Sequence, residues 1–322
     1  MPSADASKPA PALEPATQQF IDEVAADAWH LLESPAEARA AFTRLQSGPV
    51  GKPGVRIEDT SFPAGPAGAV PVRITWPGET GVPPHVLVYC PGGRWVGGDA
   101  DTHDRLIREI VAGTGAAVVA VGYDRAPEAQ YPLAIEQAYA ATAYVAVHAQ
   151  ELGLDNTCLA IAGDCAGATI ATVVTLLARE RRGPKINLQV LVCPVVDADF
   201  STPSYGLFAD GPWLTRAAMQ RAWDAYLPDV SRRGEITAAP LRASLEQLSN
   251  LPDALVIVAE NDVTRDEAEC YAQKLSDAGG RVTSVRYNGT IHDFVVLNAL
   301  ADTPAARAAI AQIISALNAI FI

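Results

Sequence analysis

The sequence predicts an α/β protein with a mostly parallel central sheet flanked by helices and a helical cap. Two observations support this prediction. Apolar runs of strand length alternate with longer helical patterns, which is typical of βαβ units. One of these runs ends in a glycine-rich turn that opens a helix of small residues. The 322 residues, 49% hydrophobic, exceed the usual domain size, but open α/β sheets with an insertion reach this length.

The first 50 residues are predicted to form a tail and cap helices. Residues 1–15 are rich in Ala, Pro and Ser, so they bury too little apolar surface to offset their ordering entropy. In residues 16–45, apolar side chains such as Phe20, Trp29 and Leu32 recur among acids at helical spacing. We expect these helices to lie over an apolar surface.

Residues 51–196 and 236–322 are predicted to form the two parts of the α/β core. The first two strands, over 57–62 and 70–76, have the pattern of an antiparallel pair. The further predicted strands are 85–90, 117–121, 159–162, 188–192, 254–259 and 282–287. The predicted helices are 102–112, 135–149, 166–181, 266–278 and 305–319.

Residues 197–235 interrupt the alternation with prolines and six aromatic residues, among them Phe208 and Trp213. An apolar, irregular insertion of this kind favours the second half of a cap. It also offers Phe208 and Trp213 as walls of a pocket for an apolar ligand.

The formal charge of -13 and pI near 4.8 disfavour nucleic acid and anionic membranes as partners, because neither offers counter-charge. No stretch approaches the roughly 20 apolar residues that cross a bilayer, and we expect a cytoplasmic protein. The five cysteines are scattered, without paired C-x-x-C spacing, so we expect most of them to be reduced.

Neither a metal nor a cofactor is predicted. His103 lies among acids at positions 99, 101 and 104, which could suggest a metal site. Zinc prefers Cys and His ligands, however, and acids at a helix start are more simply explained by the helix dipole. His30, His85, His103 and His148 are all assigned surface or capping roles.

The segment Gly163-Asp164-Cys165-Ala166-Gly167 follows a predicted buried strand and opens a helix. This is the context of the nucleophile turn G-x-S-x-G, with Cys165 in the serine position. Glycines are required two positions either side because larger side chains would collide with the neighbouring strand or helix. The helix N-terminus favours a thiolate. The alternative is a buried structural cysteine on a glycine-rich turn.

Five segments in the same order resemble the motifs of the hormone-sensitive-lipase-like bacterial esterases, which have the α/β-hydrolase fold. Residues 163–167 resemble G-D-S-A-G, and residues 91–95 (PGGRW) resemble H-G-G-G-W. The others are 123–128 (YDRAPE) for Y-R-L-A-P-E, 262–267 (DVTRDE) for D-P-L-R-D-E, and 289–294 (GTIHDF) for G-M-I-H-G-F. The resemblance spans residues 55–296.

The resemblance implies a catalytic triad of Cys165, His292 and Asp262. Asp262 would accept the Nδ1 proton of His292, which leaves Nε2 to take the proton of the nucleophile. Taken singly, Asp262 could be a helix N-cap and His292 a loop histidine with a local partner. The order nucleophile, acid, histidine is the order of the α/β-hydrolase fold.

The oxyanion hole is expected to use the N–H groups of Gly92, Gly93 and Ala166. Arg94, Trp95 and Asp164 are candidate substrate-binding residues, and Asp164 could equally be an acceptor for nearby backbone. Pro91 and Arg94 depart from the family pattern. Pro91 removes an N–H, and Arg94 adds a cation and, at a positive φ, strain.

The predicted function is a carboxylesterase that forms a thioester on Cys165 and acts on short-to-medium acyl or aryl esters. One alternative is an acyltransferase that passes the acyl group to an amine or alcohol, since thioesters react readily with both. Another is a weakened or engineered scaffold that binds an acyl-like ligand. The expected partner is a small-molecule ester, and a homodimer stays an open alternative.

Overall fold

A computed structural model describes residues 12–24, 34–78 and 81–321. Eight strands form one sheet. They are β1 (Arg56–Phe62), β2 (Val70–Trp76), β3 (His85–Cys90), β4 (Ala117–Val121), β5 (Asp155–Asp164), β6 (Leu188–Val192), β7 (Asp253–Asn261) and β8 (Val282–Ile291).

The helices of the described chain cover both faces of this sheet and its carboxyl edge. They are α1 (Pro15–Val24), α2 (Pro35–Leu45), α3 (Asp104–Thr114), α4 (Leu133–His148), α5 (Cys165–Glu180), α6 (Pro203–Leu207), α7 (Arg216–Tyr226), α8 (Leu245–Leu248), α9 (Arg265–Asp277) and α10 (Pro304–Asn318). None of these helices is long and apolar enough to cross a membrane.

The strand order is β1-β2-β4-β3-β5-β6-β7-β8. β1 pairs antiparallel with β2, and β2 pairs antiparallel with β4, whereas all other neighbours are parallel. Strands β4 and β6 are buried at every residue, as expected for central strands covered by helices on both faces. The predicted α/β class with a mostly parallel sheet is confirmed.

The described residues of the 197–235 segment are more regular than the sequence indicated. Pro203 does not interrupt a helix but begins α6, where the missing N–H of proline costs nothing. Thr215 caps α7, and α7 buries Met219, Trp223 and Tyr226 at helical spacing. Two of the six aromatic residues, Trp223 and Tyr226, therefore belong to the buried face of α7, and Tyr205 is buried in α6.

The N-terminal helices pack onto the segment 197–235 and onto the core. The ring of Phe20 in α1 lies 5.2 Å from that of Trp213. Gln46, just after α2, donates through Nε2 to the carbonyl oxygens of Thr102 (2.7 Å) and Val296 (2.9 Å). The predictions for the tail over 1–11 and for Trp29, His30 and Leu32 lie outside the described residues.

The carboxyl ends of the parallel strands meet at one edge of the sheet. β3 ends at Cys90, β5 at Asp164, β7 at Asn261 and β8 at Ile291. Side chains that follow these strands converge at this edge, where open α/β sheets place their ligands.

Candidate active site

Cys165 lies at a sharp turn between β5 and α5. Its φ is 49°, in the left-handed region that non-glycine residues rarely occupy. A Cβ on Gly163 would overlap the backbone of Gly167, and a Cβ on Gly167 would overlap the carbonyl oxygen of Cys90. The glycine spacing therefore has the steric cause that the sequence suggested, and it holds Cys165 at the first turn of a helix.

Asp262 and His292 follow β7 and β8 and meet at this edge. His292 Nδ1 lies 2.6 Å from Asp262 Oδ2, and both side chains are 1% exposed. Asp262 also accepts hydrogen bonds from the N–H and the hydroxyl of Thr264, each at 2.9 Å. Asp262 thus combines a local turn contact with the orientation of His292. The N-cap of α9 is Thr264, so the alternative in which Asp262 caps this helix is wrong.

The Nε2 atom of His292 faces the nucleophile turn. It has no hydrogen-bond partner within the described part of the chain. One ligating atom each of Cys165, His292 and Asp293 lie within 4.8 Å of one another. Burial by itself would lower the pKa of His292, but the charges of Asp262, Asp293 and Cys165 raise it well above the usual value.

Asp293 is a site residue that the sequence reasoning missed. Its Oδ1 lies 3.5 Å from His292 Nε2, and its Oδ2 accepts a hydrogen bond from Trp213 Nε1 at 3.1 Å. Burial raises the pKa of Asp293. Its φ is 64°, a conformation suited to the glycine of the G-M-I-H-G-F motif. That departure from the motif was the signal that could have identified it.

The predicted oxyanion donor Gly92 is engaged elsewhere. Its N–H donates to Asp164 Oδ1 at 3.0 Å, and a Cβ on Gly92 would overlap Asp164 Oδ2. Gly92 therefore permits the close approach of the loop to Asp164, and its predicted role as a donor to the oxyanion is corrected. The Gly93 N–H carries no hydrogen bond to the described residues.

The Asp164 carboxylate is 2% exposed and holds the loop that carries Gly92 and Gly93. Besides Gly92 N–H, it accepts from Tyr89 Oη at 2.7 Å and contacts His103 Nε2 at 3.2 Å. Of the surface or capping role predicted for His103, the surface part is wrong, because His103 is 1% exposed; it lies at the N-cap position of α3, although its side chain makes no cap hydrogen bond. The contacts of Asp164 agree with the alternative that it is an acceptor for nearby backbone, and its contact with substrate stays a prediction.

The pKa of His103 is raised and the pKa of Asp164 is lowered. Burial alone opposes charge on each group. The Asp164 charge nevertheless raises the pKa of His103, and the His103 charge and hydrogen bonds from Tyr89 and Gly92 lower the pKa of Asp164. Both shifts favour the charged forms, and the two buried side chains are in direct contact next to the turn that carries Cys165.

Arg94 and Trp95 adopt φ values of 56° and 59°, so the strain that the sequence associated with Arg94 is present. Arg94 is buried, which lowers its pKa to about 10, while the charges of Cys165 and Asp293 oppose this shift. Trp95 stacks on Tyr226 of α7 at 4.3 Å.

The two predicted pocket aromatics of residues 197–235 have different surroundings. Phe208 is buried with the guanidinium of Arg265 5.3 Å over its ring. Trp213 donates a hydrogen bond to Asp293, which contacts His292. The structure therefore brings Trp213 to the site, whereas the contacts of Phe208 lie with α9.

Arg39 of α2 is a second residue that the sequence reasoning did not identify. Its Nε donates to Val96 O at 2.7 Å and its Nη2 to Ala126 O at 2.8 Å. It also forms an ion pair with Glu128. The N-terminal helix pair is thereby attached to the loop that bears Gly93. Only the apolar residues of this region had been interpreted in the sequence, so a polar anchor was not expected.

The eight-stranded sheet, the strand-turn-helix at Cys165, and the paired acid and histidine after β7 and β8 define the class of this protein as an α/β hydrolase. The sequence profile of the alpha/beta hydrolase fold family matches residues 87–296. The chain belongs to this family and is a carboxylesterase-like member of it.

Three similar proteins support this assignment. Carboxylesterase NlhH of Mycobacterium tuberculosis is 37% identical over 87% of this chain and 88% of its own length. A thermostable esterase from Pseudomonas putida ECU1011 is 44% identical, with coverage of 98% and 99% and a TM-score of 0.94. A hyperthermophilic esterase from the archaeon Pyrobaculum calidifontis is 34% identical, with coverage of 96% and 98% and a TM-score of 0.85.

Proposed function

We propose that this protein hydrolyses carboxylic esters through a covalent thioester on Cys165. The observation that carries the proposal is the position of Cys165 in a strained turn at the start of α5. Across from it, Asp262 holds Nδ1 of His292 at 2.6 Å. This leaves Nε2 within 4.8 Å of the Cys165 and Asp293 ligating atoms, which is the arrangement required of a nucleophile, a base and an orienting acid.

The reaction proceeds in two halves. Cys165 Sγ attacks the ester carbonyl carbon while its proton passes to His292 Nε2. His292 then gives that proton to the alkoxide oxygen as the C–O bond breaks, so the alcohol leaves and a thioester remains. In the second half, water loses a proton to Nε2 as it attacks the thioester. The proton returns to the sulfur when the carboxylic acid leaves.

The developing oxyanion is proposed to accept hydrogen bonds from the N–H groups of Gly93 and Ala166. Ala166 is in the first turn of α5, where helix N–H groups have no partner in the helix. Gly93 N–H is available because Gly92, not Gly93, is bound by Asp164. The role of Asp164 is to fix the loop so that this donor is preorganised.

The domain organisation proposed from the sequence fits this function. Residues 1–50 and 197–235 would form a cap over a core of residues 51–196 and 236–322. The Phe20–Trp213 ring contact supports a cap of two parts, and Trp213 connects it to Asp293 beside the base. A buried, aromatic site of this kind is suited to short-to-medium acyl or aryl esters.

A test of this function measures turnover of p-nitrophenyl esters of increasing acyl length, with Cys165→Ala, Cys165→Ser and His292→Ala as variants. Cys270→Ser is the matched control, because Cys270 is exposed on α9. We expect turnover in the wild type and the control, and its loss in Cys165→Ala and His292→Ala. Undiminished turnover in Cys165→Ala would contradict the proposal.

Transfer of the acyl group to an amine or alcohol is the second candidate, and the thiol at position 165 favours it because thioesters react readily with amines. The ratio of amide to acid product at a fixed amine concentration distinguishes the two reactions. Acyl transfer predicts a ratio that falls in Cys165→Ser. The absence of acylation in every protein would instead favour a binding scaffold.

A further inference from the structure

We propose that Cys165, His292 and Asp293 form a binding site for one Zn²⁺ ion, whose occupancy blocks the nucleophile. The sequence predicted no metal, because the residues considered there were the acids around His103. The three residues named here are far apart in the sequence and meet only at the carboxyl edge of the sheet.

The geometry of the three residues suits a tetrahedral ion. One ligating atom of each lies within 4.8 Å of the other two, and all three side chains are buried. His292 Nε2 and Asp293 Oδ1 are 3.5 Å apart. Two ligands of a tetrahedral zinc at the usual bond lengths of about 2.0–2.2 Å are separated by roughly 3.4 Å. This pair therefore already has the spacing of metal ligands.

Nε2 of His292 is the second observation that points to a ligand. This atom is buried in a side chain of 1% exposure and has no hydrogen-bond partner among the described residues. A buried ring nitrogen without a partner is costly. A metal ion would satisfy it, and ligating atoms of Cys165 and Asp293 lie within 4.8 Å of the His292 ligating atom.

Two of the proposed ligands, His292 and Asp293, have hydrogen-bond partners of the kind found around zinc sites. Asp262 accepts the Nδ1 proton of His292 at 2.6 Å, which fixes the tautomer that presents Nε2. Trp213 Nε1 donates to the second oxygen of Asp293 at 3.1 Å, which orients the first. Partners of this kind commonly hold metal-ligating histidines and carboxylates in place.

Asp293 has no role in the ester hydrolysis described above, yet it occupies a costly conformation. Its φ of 64° lies in the left-handed region, where a non-glycine residue costs on the order of 1–3 kcal/mol. In this proposal, the bound ion accounts for a buried carboxylate in this conformation beside His292.

The proposed ligands offer a thiol sulfur, an imidazole nitrogen and a carboxylate oxygen, which are donor types that Zn²⁺ binds in proteins. Three protein ligands leave a fourth position for water, as in zinc sites that are not purely structural.

A second group of three, Cys193, Asp262 and His292, also lies within 4.8 Å and competes as a location for the ion. It would have to use His292 Nδ1 or displace Asp262 from it. Because Nδ1 is already bound to Asp262 at 2.6 Å, this side of the ring is closed. The Cys193 group therefore serves as an internal control.

The test is isothermal titration of the reduced, chelator-treated protein with ZnCl₂, followed by Co²⁺ absorption spectroscopy. We expect one ion per chain and a thiolate-to-cobalt charge-transfer band. Asp293→Asn and Cys165→Ala should each weaken Zn²⁺ binding by ~100-fold or more, because each removes one of three ligands. Cys193→Ser and Cys270→Ser should bind as the wild type does. Cys165→Ser provides a size-matched variant if Cys165→Ala fails to fold.

Several results would overturn the proposal. One is the absence of Zn²⁺ binding by the folded wild type. Another is full Zn²⁺ binding both by Asp293→Asn and by a Cys165 variant (Cys165→Ala or Cys165→Ser). The third is loss of Zn²⁺ binding in Cys193→Ser. The Zn²⁺-binding measurements do not depend on the esterase proposal. The blocking of the nucleophile rests on that proposal and is tested separately, as loss of iodoacetamide labelling of Cys165 in the zinc-loaded protein.

Discussion

At the residue scale, one buried carboxylate connects the nucleophile turn to the loop that carries Gly93. Asp164 precedes Cys165 and binds Gly92 N–H, Tyr89 Oη and His103 Nε2. His103 is in turn held at Nδ1 by the carbonyl oxygen of Asp99, 3.0 Å away. In the proposed mechanism, Asp164 and His103 would position the loop that carries the oxyanion donor Gly93.

We predict that His103→Ala lowers kcat with little change in KM, because it releases the loop proposed to position the oxyanion donor. Removal of one partner from a buried ion pair should also lower the free energy of unfolding by about 3–5 kcal/mol. His148→Ala is the control, since His148 is partly exposed and pairs with Glu151 at the surface. Steady-state kinetics and urea unfolding of both variants test this. A change in KM alone would contradict the positioning role.

The sequence predicted Cys165, His292 and Asp262 because each belongs to a short motif that follows a strand. It failed for His103, Asp293 and Gly92, whose roles depend on partners distant in the chain. Gly92 and Asp164, for example, are 72 positions apart. No local pattern indicates which of two neighbouring glycines donates to Asp164 and which keeps a free N–H.

At the element scale, the angle between β5 and α5 depends on the close approach of α5 to β3. Gly167 is the point of contact, where a Cβ would overlap the carbonyl oxygen of Cys90. Any side chain here displaces the helix and with it the nucleophile.

Gly167→Ala should therefore lower both stability and activity, with a loss in the free energy of unfolding of about 1–3 kcal/mol from overpacking. Gly206→Ala is the matched control. Gly206 is exposed in α6 and has open space where the Cβ would lie. Thermal unfolding and ester turnover measure the two effects. Equal behaviour of the two variants would contradict the steric account.

The contact between α2 and the oxyanion loop depends on Arg39. We predict that Arg39→Ala lowers kcat because the carbonyl oxygens of Val96 and Ala126 lose their donor. Glu128→Gln is the comparison. It weakens the Arg39–Glu128 pair, in which Glu128 is 63% exposed. In this variant, Arg39 keeps its hydrogen bonds to the carbonyl oxygens of Val96 and Ala126. Its kcat should stay near that of the wild type, because exposed pairs contribute ~0–1 kcal/mol. Equal losses in both variants would assign the effect to the ion pair.

Strand and helix bounds followed from the sequence within a few residues where apolar periodicity was strong. Strands β2, β3, β4 and β6 have the predicted ends. β5 and β8 extend further than predicted, because tertiary pairing continues beyond the apolar runs. Helix α7 was not predicted, since the density of aromatic residues obscured its helical spacing.

At the scale of the whole molecule, one buried acid adds a pH dependence to stability. Glu267 is 1% exposed; its Oε1 accepts from Val196 N–H at 2.9 Å, and its Oε2 has no partner among the described residues. Burial raises its pKa well above the ordinary value of 4.5. The unfolded chain therefore ionises first, and the folded state loses stability as pH rises from that value toward the folded pKa.

Glu267→Gln removes this proton equilibrium while keeping the shape of the side chain. The unfolding free energy of the wild type should fall with pH more steeply than that of the variant, by up to about 1.4 kcal/mol per pH unit. Glu269→Gln, at a partly exposed ion pair with Arg286, is the control. Urea unfolding at a series of pH values above 4.5 measures the slopes. Identical slopes in wild type and Glu267→Gln would contradict a raised pKa.

The topology as a whole could be predicted because alternating strands and helices admit few arrangements. The position of β3 between β4 and β5 could not be predicted, because it depends on crossover connections and not on the sequence of any one segment. The convergence of Cys165, His292, Asp293 and Arg94 likewise required the assembled sheet.

The most direct test of the central claim is the mass of the protein during turnover. A p-nitrophenyl ester is mixed with the protein, the reaction is quenched in acid, and the intact mass and peptide map are recorded. We predict one added acyl group on the peptide containing Cys165, removable by neutral hydroxylamine as a thioester is, and absent from His292→Ala. An acyl group on any other residue, or full turnover without an adduct at Cys165 under single-turnover conditions, would contradict the account.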